Sequence, residues 1–286
     1  IRDRPNNGGI VKRKLLLGSG VAGASLLLAA SPALAQDADD PSVYLQAVMD
    51  NLWVFIAGIL VFFMQAGFAL VEAGLTRSKN VANIMAKNIA DMCIGVLAFY
   101  AVGYAFAYGD GGGWFIGGNS YFLSGSSLFE ITDGLSGATD FFFQVVFAAT
   151  AVITIASGAM AGRTKFSAYL MFAALMTAFI YPVVVHWTWG GGLIAEYINW
   201  GEAGSYSDFA GSGIVHLTGG VAAFMGAKAL GPRIGKYDDE GKPRAIPGHN
   251  IVFTVIGVFI LWLGWFGFNP GSELAADGYV LSLIHI

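Results

Sequence analysis

Long uncharged stretches alternate with short polar connections along this chain, and the lengths of the apolar stretches predict its main elements. A helix needs about 20 apolar residues to cross the hydrocarbon core of a bilayer. Six stretches approach that length, at 51–73, 84–108, 141–161, 167–187, 213–231 and 250–268. The chain is 56% hydrophobic and only 12% charged, whereas soluble domains are about 25% charged. We therefore predict an all-α integral membrane protein with about six transmembrane helices.

The N-terminal part has a pattern of its own. Basic residues 12–14 precede an apolar stretch at 15–30, and Ala33-Leu34-Ala35 closes it. This order is typical of a secretory signal peptide. We place the signal peptide at 12–35 and interpret residues 1–11 as upstream sequence or sequence added for expression. The alternative is an uncleaved first helix, but the short Gly- and Ala-rich apolar stretch argues against it.

The basic residues beyond the signal peptide set the predicted orientation. They lie at or beside three alternate connections, namely Arg77, Lys79 and Lys87, then Arg163 and Lys165, then Lys228, Arg233, Lys236, Lys242 and Arg244. The other connections carry only acids. By the positive-inside rule the basic connections are cytoplasmic and the mature N-terminus is outside. A signal peptide demands the same orientation, so we predict a multi-pass protein of the cell inner membrane.

Several chemical classes find no support in the sequence. Cys93 is the single cysteine, which excludes a disulfide within the chain and argues against a Cys-based metal cluster. The glycine runs 190–192 and 211–213 follow no predicted strand, so they are not phosphate-binding loops. Paired catalytic carboxylates, a Ser-His-Asp arrangement and metal-ligand spacings are absent from the sequence. We predict no enzyme activity, no cofactor and no nucleic-acid partner.

Ionisable residues stand in or beside three apolar stretches. Asp208 opens the run that contains His216, and such residues in membrane helices mark a pathway more often than a lipid-facing surface. The alternative is structural, with Asp208 as a helix cap and His216 bonded to a neighbouring helix, and the local pattern leaves both open. Glu72 and Asp91 lie within or near the first two helices, where we expect structural hydrogen bonding.

Five motifs point to one family. In chain order they are Gln65–Asn80 (QAGFALVEAGLTRSKN), Phe143–Phe147 (FQVVF), Trp187–Gly192 (WTWGGG), Asp208–Gly220 (DFAGSGIVHLTGG) and Gly264–Ser272 (GWFGFNPGS). Their order and spacing resemble the ammonium transporter (Amt/Mep/Rh) family, nearer its Amt branch, over about residues 45–275. The resemblance implies a fold of eleven helices, ten of them in two inverted five-helix repeats, in a homotrimer with one pore per subunit.

On this resemblance the chain holds the first repeat plus the sixth helix. We expect a truncated reading frame, with the transporter domain at 36–280 and residues 281–286 as a candidate non-native tail. The partner expected for the pore histidine His216 is a second histidine from the second repeat, which this chain lacks. Asp208 is expected to act indirectly, by capping the fifth helix and fixing the backbone of Ala210 and Gly211 at the vestibule, rather than as a direct ligand.

The resemblance also assigns roles to three aromatic residues and a serine. Trp189, Ser272 and Phe147 would recruit the cation at the outer face, and Phe147 and Phe268 would stack as a gate that a hydrated ion cannot pass. Trp189 would offer a cation–π face worth about 0.5–2 kcal/mol. Without the resemblance, Trp189 reads as an interfacial belt residue, Ser272 as an ordinary loop serine, and both phenylalanines as lipid-facing or core residues.

The predicted function is transport of ammonium or ammonia for nitrogen uptake. The cation is recruited outside and deprotonated, and ammonia passes along an apolar, histidine-lined pore. The resemblance further implies a PII-type signal protein at the basic cytoplasmic loop 231–249. Alternatives are an ammonium sensor with a signalling domain beyond the present chain, an Rh-type gas channel, which Trp189 and Ser272 argue against, and, more weakly, an unrelated cation channel.

Overall fold

A computed structural model describes residues 41–125, 128–132, 134–198 and 206–284. Across these ranges six helices are long and apolar enough to cross a membrane, and we label them α1 to α6 in chain order: Pro41–Leu75, Ser78–Tyr108, Gly137–Met160, Phe166–Glu196, Ser212–Leu230 and Ile251–Gly271. A short helix α7 follows at Tyr279–Ile284. The described residues contain isolated bridges but no strand. The predicted all-α class with six spans is confirmed, whereas the predicted signal peptide lies outside the described residues.

Two helices extend beyond their predicted ends. The first was predicted from residue 51, but α1 begins at Pro41, because Gln46 and Asp50 lower the hydropathy of a turn that is nonetheless helical. The Gln46 amide donates to the Asp50 carboxylate one turn later, at 2.7 Å. The sixth stretch was predicted to end at residue 268, yet α6 continues to Gly271 with Pro270 in its last turn. Trp53 of α1 donates its indole N–H to the Pro270 carbonyl at 3.3 Å, which holds that turn in place.

Helix α3 lies at the centre of the bundle. In the most apolar 18-residue segment of α3, 78% of the residues are buried, whereas the corresponding segments of α5 and α6 have 17% and 22% buried. Fully buried side chains of α3 include Phe147, Val152 and Ile153. By contrast, α5 and α6 turn large apolar side chains outward, among them Phe224 and Trp262. The side chains of α3 therefore form the interior, while α5 and α6 present apolar faces suited to lipid or to another membrane protein.

Glycines bring α1 and α6 together at backbone distance. A Cβ added to Gly257 would lie 2.6 Å from the Gly67 carbonyl oxygen, and one added to Gly74 would lie 2.6 Å from the Asn250 carbonyl oxygen. Both distances are shorter than a carbon and an oxygen tolerate, so side chains are excluded there. Small residues let membrane helices approach closely, and dispersion contacts then stabilise the pair. The first and last spans are thus interlocked through glycine.

In the described part of the chain, five π-helical turns occur within or at the start of the helices, and two of them contain predicted site residues. One runs from Phe147 to Val152 in α3, and another, Ser212–Leu217, opens α5 and contains His216. A π-turn adds a residue to the helical repeat and rotates the side chains that follow, and such turns are frequent at functional sites. The local geometry therefore aims Phe147 and His216 differently from a regular helix.

Lys87 departs from the sequence prediction. It was counted with the charges that flank the first basic connection, but it lies within α2 and is only 2% exposed. Its ammonium donates to the Ser157 hydroxyl at 2.8 Å and to the Ser157 carbonyl at 3.3 Å. Lys87 lies inside the stretch predicted at 84–108, but its burial was not predicted, because polar groups on α3 solvate this lysine inside the bundle and the hydropathy of one segment does not reveal them.

Candidate functional site

A column of aromatic rings runs from the C-terminal end of the regular part of α4 into the bundle. The Trp189 and Phe147 rings meet edge to face with centroids 6.5 Å apart, and Phe147 and Phe268 lie 4.3 Å apart. Phe268 in turn lies 5.6 Å from the His216 imidazole. Four of the residues predicted to form the pathway, from α3, α4, α5 and α6, are therefore in one continuous series of ring contacts.

The two phenylalanines at the middle of the column are fully buried. Phe147 and Phe268 are each 1% exposed, and Phe143, one turn before Phe147, adds a third ring at 4.8 Å. A hydrated ion loses its water to enter an apolar constriction of this kind, and that loss is costly. In the described arrangement the column is closed to hydrated ions.

Trp189 is fixed at the end of the regular part of α4, which runs to Thr188. Its backbone N–H donates to the Val185 carbonyl at 2.8 Å, and its indole N–H donates to the Asp208 carbonyl at 2.6 Å. The latter bond ties α4 to the segment that leads into α5. Because the indole N–H is occupied, the chemistry left to this side chain is that of its π faces.

Asp208 caps α5 with unusual completeness. One carboxylate oxygen accepts from the backbone N–H groups of Gly211 and Ser212, at 2.8 and 2.9 Å, and the other accepts from Gly213 and Ile214, at 2.9 and 2.7 Å. The first N–H groups of a helix have no intrahelical acceptor, and here one buried carboxylate meets four of them. Gly211 has φ +94°, a left-handed backbone that favours glycine, and so lets the chain turn tightly around the carboxylate.

The Asp208 carboxylate also affects a neighbouring phenol. Partial burial and, after it, the negative charge of Asp208 raise the pKa of Tyr206 above its usual value. Tyr206 precedes α5, and a Cβ placed on Gly213 would come within 2.5 Å of its hydroxyl oxygen. The phenol therefore stays protonated beside the cap, and both oxygens of Asp208 are committed to the backbone rather than open to a ligand.

Ser272 stands at the C-terminal cap of α6, one turn beyond Phe268. Its hydroxyl donates to the Phe268 carbonyl at 2.7 Å. A hydroxyl has one hydrogen and two acceptor lone pairs, so this bond leaves the oxygen able to accept from an N–H donor. Ser272 is thus linked to the column through the backbone of Phe268.

His216 is held between α5 and α6. Its Nδ1 lies 3.3 Å from the Gly211 carbonyl, and since a carbonyl only accepts, Nδ1 carries the hydrogen of this contact. In the neutral ring Nε2 is then an acceptor. The imidazole stacks on the Trp265 indole with centroids 5.4 Å apart and an interplanar angle of 24°. Trp265 was missed as a site residue, although its place three residues before Phe268 in a predicted helix put both on one face.

The other described histidines have separate contacts. His186 is buried, with Nδ1 3.0 Å from the Ala107 carbonyl and Nε2 2.8 Å from the Gly113 carbonyl. It joins α4 to the end of α2 and to the loop that follows. His249 is exposed before α6, and its Nδ1 lies 3.1 Å from the Thr76 carbonyl. Neither imidazole contacts the aromatic column.

The comparisons with known proteins agree on one family. The profile described as the Ammonium Transporter Family matches residues 52–284. The chain is 50% identical to the ammonium transporter Amt2 of Archaeoglobus fulgidus over 246 residues, which are 82% of this chain and 50% of that protein. It is 45% identical to the ammonium transporter Amt1 of Haloferax mediterranei over 237 residues, 82% of this chain and 45% of the relative.

Solved structures give the same result for the fold. A chain titled Sensor Amt Protein superposes with a TM-score of 0.75 at 38% identity, covering 82% of this chain and 57% of that one. Mep2 of Candida albicans superposes with a TM-score of 0.68 at 26% identity, covering 84% and 51%. The chain spans about half the length of the curated relatives it matches.

The matched residues include every member of the aromatic column, and the six spans have the architecture of the solved relatives. The resemblance predicted from the five motifs is confirmed, and this chain belongs to the Ammonium Transporter Family.

Proposed function

We propose that this chain forms the first half of a membrane pathway for ammonium and ammonia, of the kind named in its relatives. The observation that carries the proposal is the continuous ring column from Trp189 through Phe147 and Phe268 to His216. A π face at the outer end attracts a cation, a dry gate removes water, and an imidazole lies beyond it. This order of groups suits a substrate that arrives charged and proceeds neutral.

The energetics favour deprotonation over passage of the bare ion. Moving an isolated ammonium ion into an apolar interior costs tens of kcal/mol by a Born estimate, whereas a cation–π contact returns about 0.5–2 kcal/mol. Trp189, Phe147 and the Ser272 hydroxyl recruit the cation, which loses a proton before it passes the gate formed by Phe147 and Phe268. Ammonia then continues past the Nε2 acceptor of His216, and Asp208 acts only by holding the start of α5.

The distribution of basic residues and the exposed apolar helix faces support a proposal for the orientation, the oligomeric state and the partner of this pathway. The basic connections face the cytoplasm of the inner membrane, and the mature N-terminus lies outside after removal of the signal peptide at 12–35. The apolar outward faces of α5 and α6 suit a homotrimer in the bilayer. The basic segment 231–249 suits a PII-type signal protein at the cytoplasmic face. No catalytic chemistry is needed for this function.

Ammonium-evoked current tests the proposal. A full-length transporter that carries these residues is purified into proteoliposomes, adsorbed on a solid-supported membrane and given a step in ammonium concentration. We expect a transient current with ammonium and none with an equal step in sodium. Equal currents for both ions, or none for either with correctly folded trimer on the sensor, would refute transport.

A second candidate function is sensing. The solved chain titled Sensor Amt Protein is 38% identical to this one and superposes with a TM-score of 0.75, which supports a receptor built on the same helices. A sensor binds ammonium without sustained flux. Saturable ammonium binding in the full-length protein, together with no ammonium-evoked current, would favour this candidate over transport.

A further inference from the structure

A buried cluster of ionisable side chains lies outside the aromatic column. It contains Glu72 of α1, Lys87 and Asp91 of α2, and Tyr169 of α4, none more than 7% exposed. The Ser157 hydroxyl of α3 accepts from the Lys87 ammonium at 2.8 Å and donates to a Glu72 carboxylate oxygen at 2.9 Å. Four helices thus contribute to one polar cluster inside the membrane span.

The aromatic ring of Tyr169 completes the cluster. Its hydroxyl donates to an Asp91 carboxylate oxygen at 2.9 Å, and the Lys87 ammonium lies over its ring, 4.3 Å from the centroid. Lys87 and Asp91 are four residues apart on α2 and so share a face. The ion pair found among the described residues is Lys242–Glu240, on the surface. Lys87 and Glu72 therefore form no direct ion pair, and the Ser157 hydroxyl links them.

The charges of this cluster do not balance. Two carboxylates and one ammonium leave one net negative charge, and an uncompensated charge in a protein interior costs several kcal/mol. Nearby elements add little positive charge, because α6 has no charged residue and α5 carries only His216 and Lys228. Arg233, after α5, donates to the Gly158 and Ala161 carbonyls at the end of α3, and no ion pair joins it to either carboxylate among the described residues. Moreover, one oxygen of Glu72 and one of Asp91 are buried without a hydrogen-bond partner. One added proton on a carboxylate removes the net charge and gives an orphan oxygen a hydrogen.

Buried hydroxyl side chains lie along α3 between the gate and this cluster. Thr150, Thr154 and Ser157 follow Phe147 along α3 at intervals of three or four residues, and all three are buried. The Thr154 hydroxyl donates to the Thr150 carbonyl, and the Thr150 hydroxyl has no partner among the described residues. Hydroxyls both donate and accept, so this face of α3 is polar between the gate and the cluster, although no hydrogen bond links one of these hydroxyls to the next among the described residues.

Packing between α3 and α5 gives the depth of the cluster. A Cβ on Gly219 would contact Ile155 at 2.9 Å, and one on Gly226 would contact Met160 at 2.8 Å, so the two helices run side by side in the same direction. Ser157 is therefore level with a position on α5 some five to seven residues beyond His216. At 1.5 Å per residue the cluster lies about 8–10 Å deeper than the imidazole.

We propose that Glu72, Asp91 and Lys87 form a buried site for one exchangeable proton, on the far side of the aromatic column from Trp189. The role of this proton site in transport rests on the function proposed above. The cluster first releases its resting proton to water; when ammonium then loses a proton, an N–H bond breaks, the electron pair stays on nitrogen, and an O–H bond forms on the vacated carboxylate of the cluster. The neutral ammonia proceeds, and the cluster later returns the proton to water. Lys87 keeps the second carboxylate ionised.

Infrared spectroscopy of the full-length protein in lipid tests the site directly. A protonated carboxyl has a C=O stretch that a carboxylate lacks. We expect the parent to show such a band at neutral pH, to lose it entirely in Glu72→Gln or in Asp91→Asn, and to keep it in Glu240→Gln, the control for an exposed carboxylate. We also expect a step in ammonium concentration to change the band in the parent.

A second variant covers the case in which the carboxylate variants do not fold. Ser157→Ala retains both carboxylates and removes the hydroxyl that donates to Glu72. If the proton is on Glu72, Ser157→Ala moves the band to higher frequency, because the carboxyl group loses a hydrogen bond; if it is on Asp91, Tyr169→Phe does so by removing the hydroxyl that donates to Asp91. A parent without the band at neutral pH, a band unchanged by both carboxylate variants, or a band unmoved by both Ser157→Ala and Tyr169→Phe would overturn the site.

Current measured on the same samples separates this proposal from the proposed function. A parent that shows the band but no ammonium-evoked current retains the proton site and refutes transport. A parent that shows current but no band supports transport and refutes the site. A loss of at least about tenfold in current for Glu72→Gln, with Glu240→Gln unchanged, supports the use of the site in transport.

Discussion

The Asp208 cap makes a sharp prediction about stability. In Asp208→Asn the side chain keeps its shape, but only one of its two terminal atoms still accepts hydrogen bonds. Gly211 and Ser212 can donate to the remaining oxygen, whereas the N–H groups of Gly213 and Ile214, now 2.9 and 2.7 Å from an oxygen, would face an NH₂ group. Rotating the amide exchanges which pair is lost and restores neither.

The expected loss of stability comes from the two backbone N–H groups that Asp208→Asn leaves without an acceptor. A buried N–H left without an acceptor costs about 1–3 kcal/mol, so two such groups cost about 2–6 kcal/mol. This exceeds the usual loss of about 0.5–2 kcal/mol for an ordinary helix cap, because one carboxylate serves four donors here. At about 2–4 °C per kcal/mol, we expect the melting temperature to fall by at least about 5 °C.

Thermal unfolding of the purified full-length protein in detergent, followed by tryptophan fluorescence, measures this change. Asp50→Asn is the matched control, since Asp50 is a partly exposed carboxylate that accepts from Gln46 and from the Ala276 backbone. The Asp50→Asn substitution should lower the melting temperature by much less than Asp208→Asn does. Equal and small effects of the two substitutions would refute the reasoning, because the carboxylate would then not hold the start of α5.

Four further predictions concern the column, the helix contacts and the extent of the chain. Trp189→Leu should weaken the ammonium dependence of the current by about 2–30-fold, the equivalent of a lost cation–π contact, while Trp187→Leu leaves it nearly unchanged. His216→Leu should give a folded trimer whose ammonium-evoked current is lost or altered in selectivity, with His249→Leu as the control; an unaltered current would remove this imidazole from the mechanism. Gly257→Ala should destabilise the protein by about 1–3 kcal/mol through overpacking, whereas Gly220→Ala, whose added Cβ meets no atom within 4 Å, should be neutral or slightly stabilising. Cells that express residues 36–286 alone should take up no methylammonium, because the relatives are about twice as long.

The sequence predicted the spans well because length and hydropathy suffice for a membrane helix. It predicted less about the ends, where short polar turns such as the one containing Asp50 remain helical through contacts with distant residues. The meeting of Trp189, Phe147 and Phe268 came from the family resemblance and not from local pattern, since any of 22 phenylalanines has the same local chemistry. Their roles in transport stay predictions.

The buried cluster shows what the sequence could not provide. Lys87 looked like a flanking charge because a single segment does not reveal that Ser157, seventy residues later, accepts from its ammonium. Trp265 was likewise overlooked because its stacking on His216 depends on how α5 and α6 are placed side by side. Both residues gain their environment from helices that are remote in the chain, so only the assembled bundle identifies them.

The glycine contacts between α1 and α6 also bear on biogenesis. The two helices that interlock most closely are the first and the last of the six spans, so a ribosome must synthesise nearly all of this chain before α1 can meet its partner. Until then α1 resides in the bilayer with its glycine face covered by lipid or by an insertion factor. The commitment of these six helices to their arrangement therefore waits for the synthesis of α6, and a ribosome stalled before α6 would leave five inserted helices without the contact between α1 and α6.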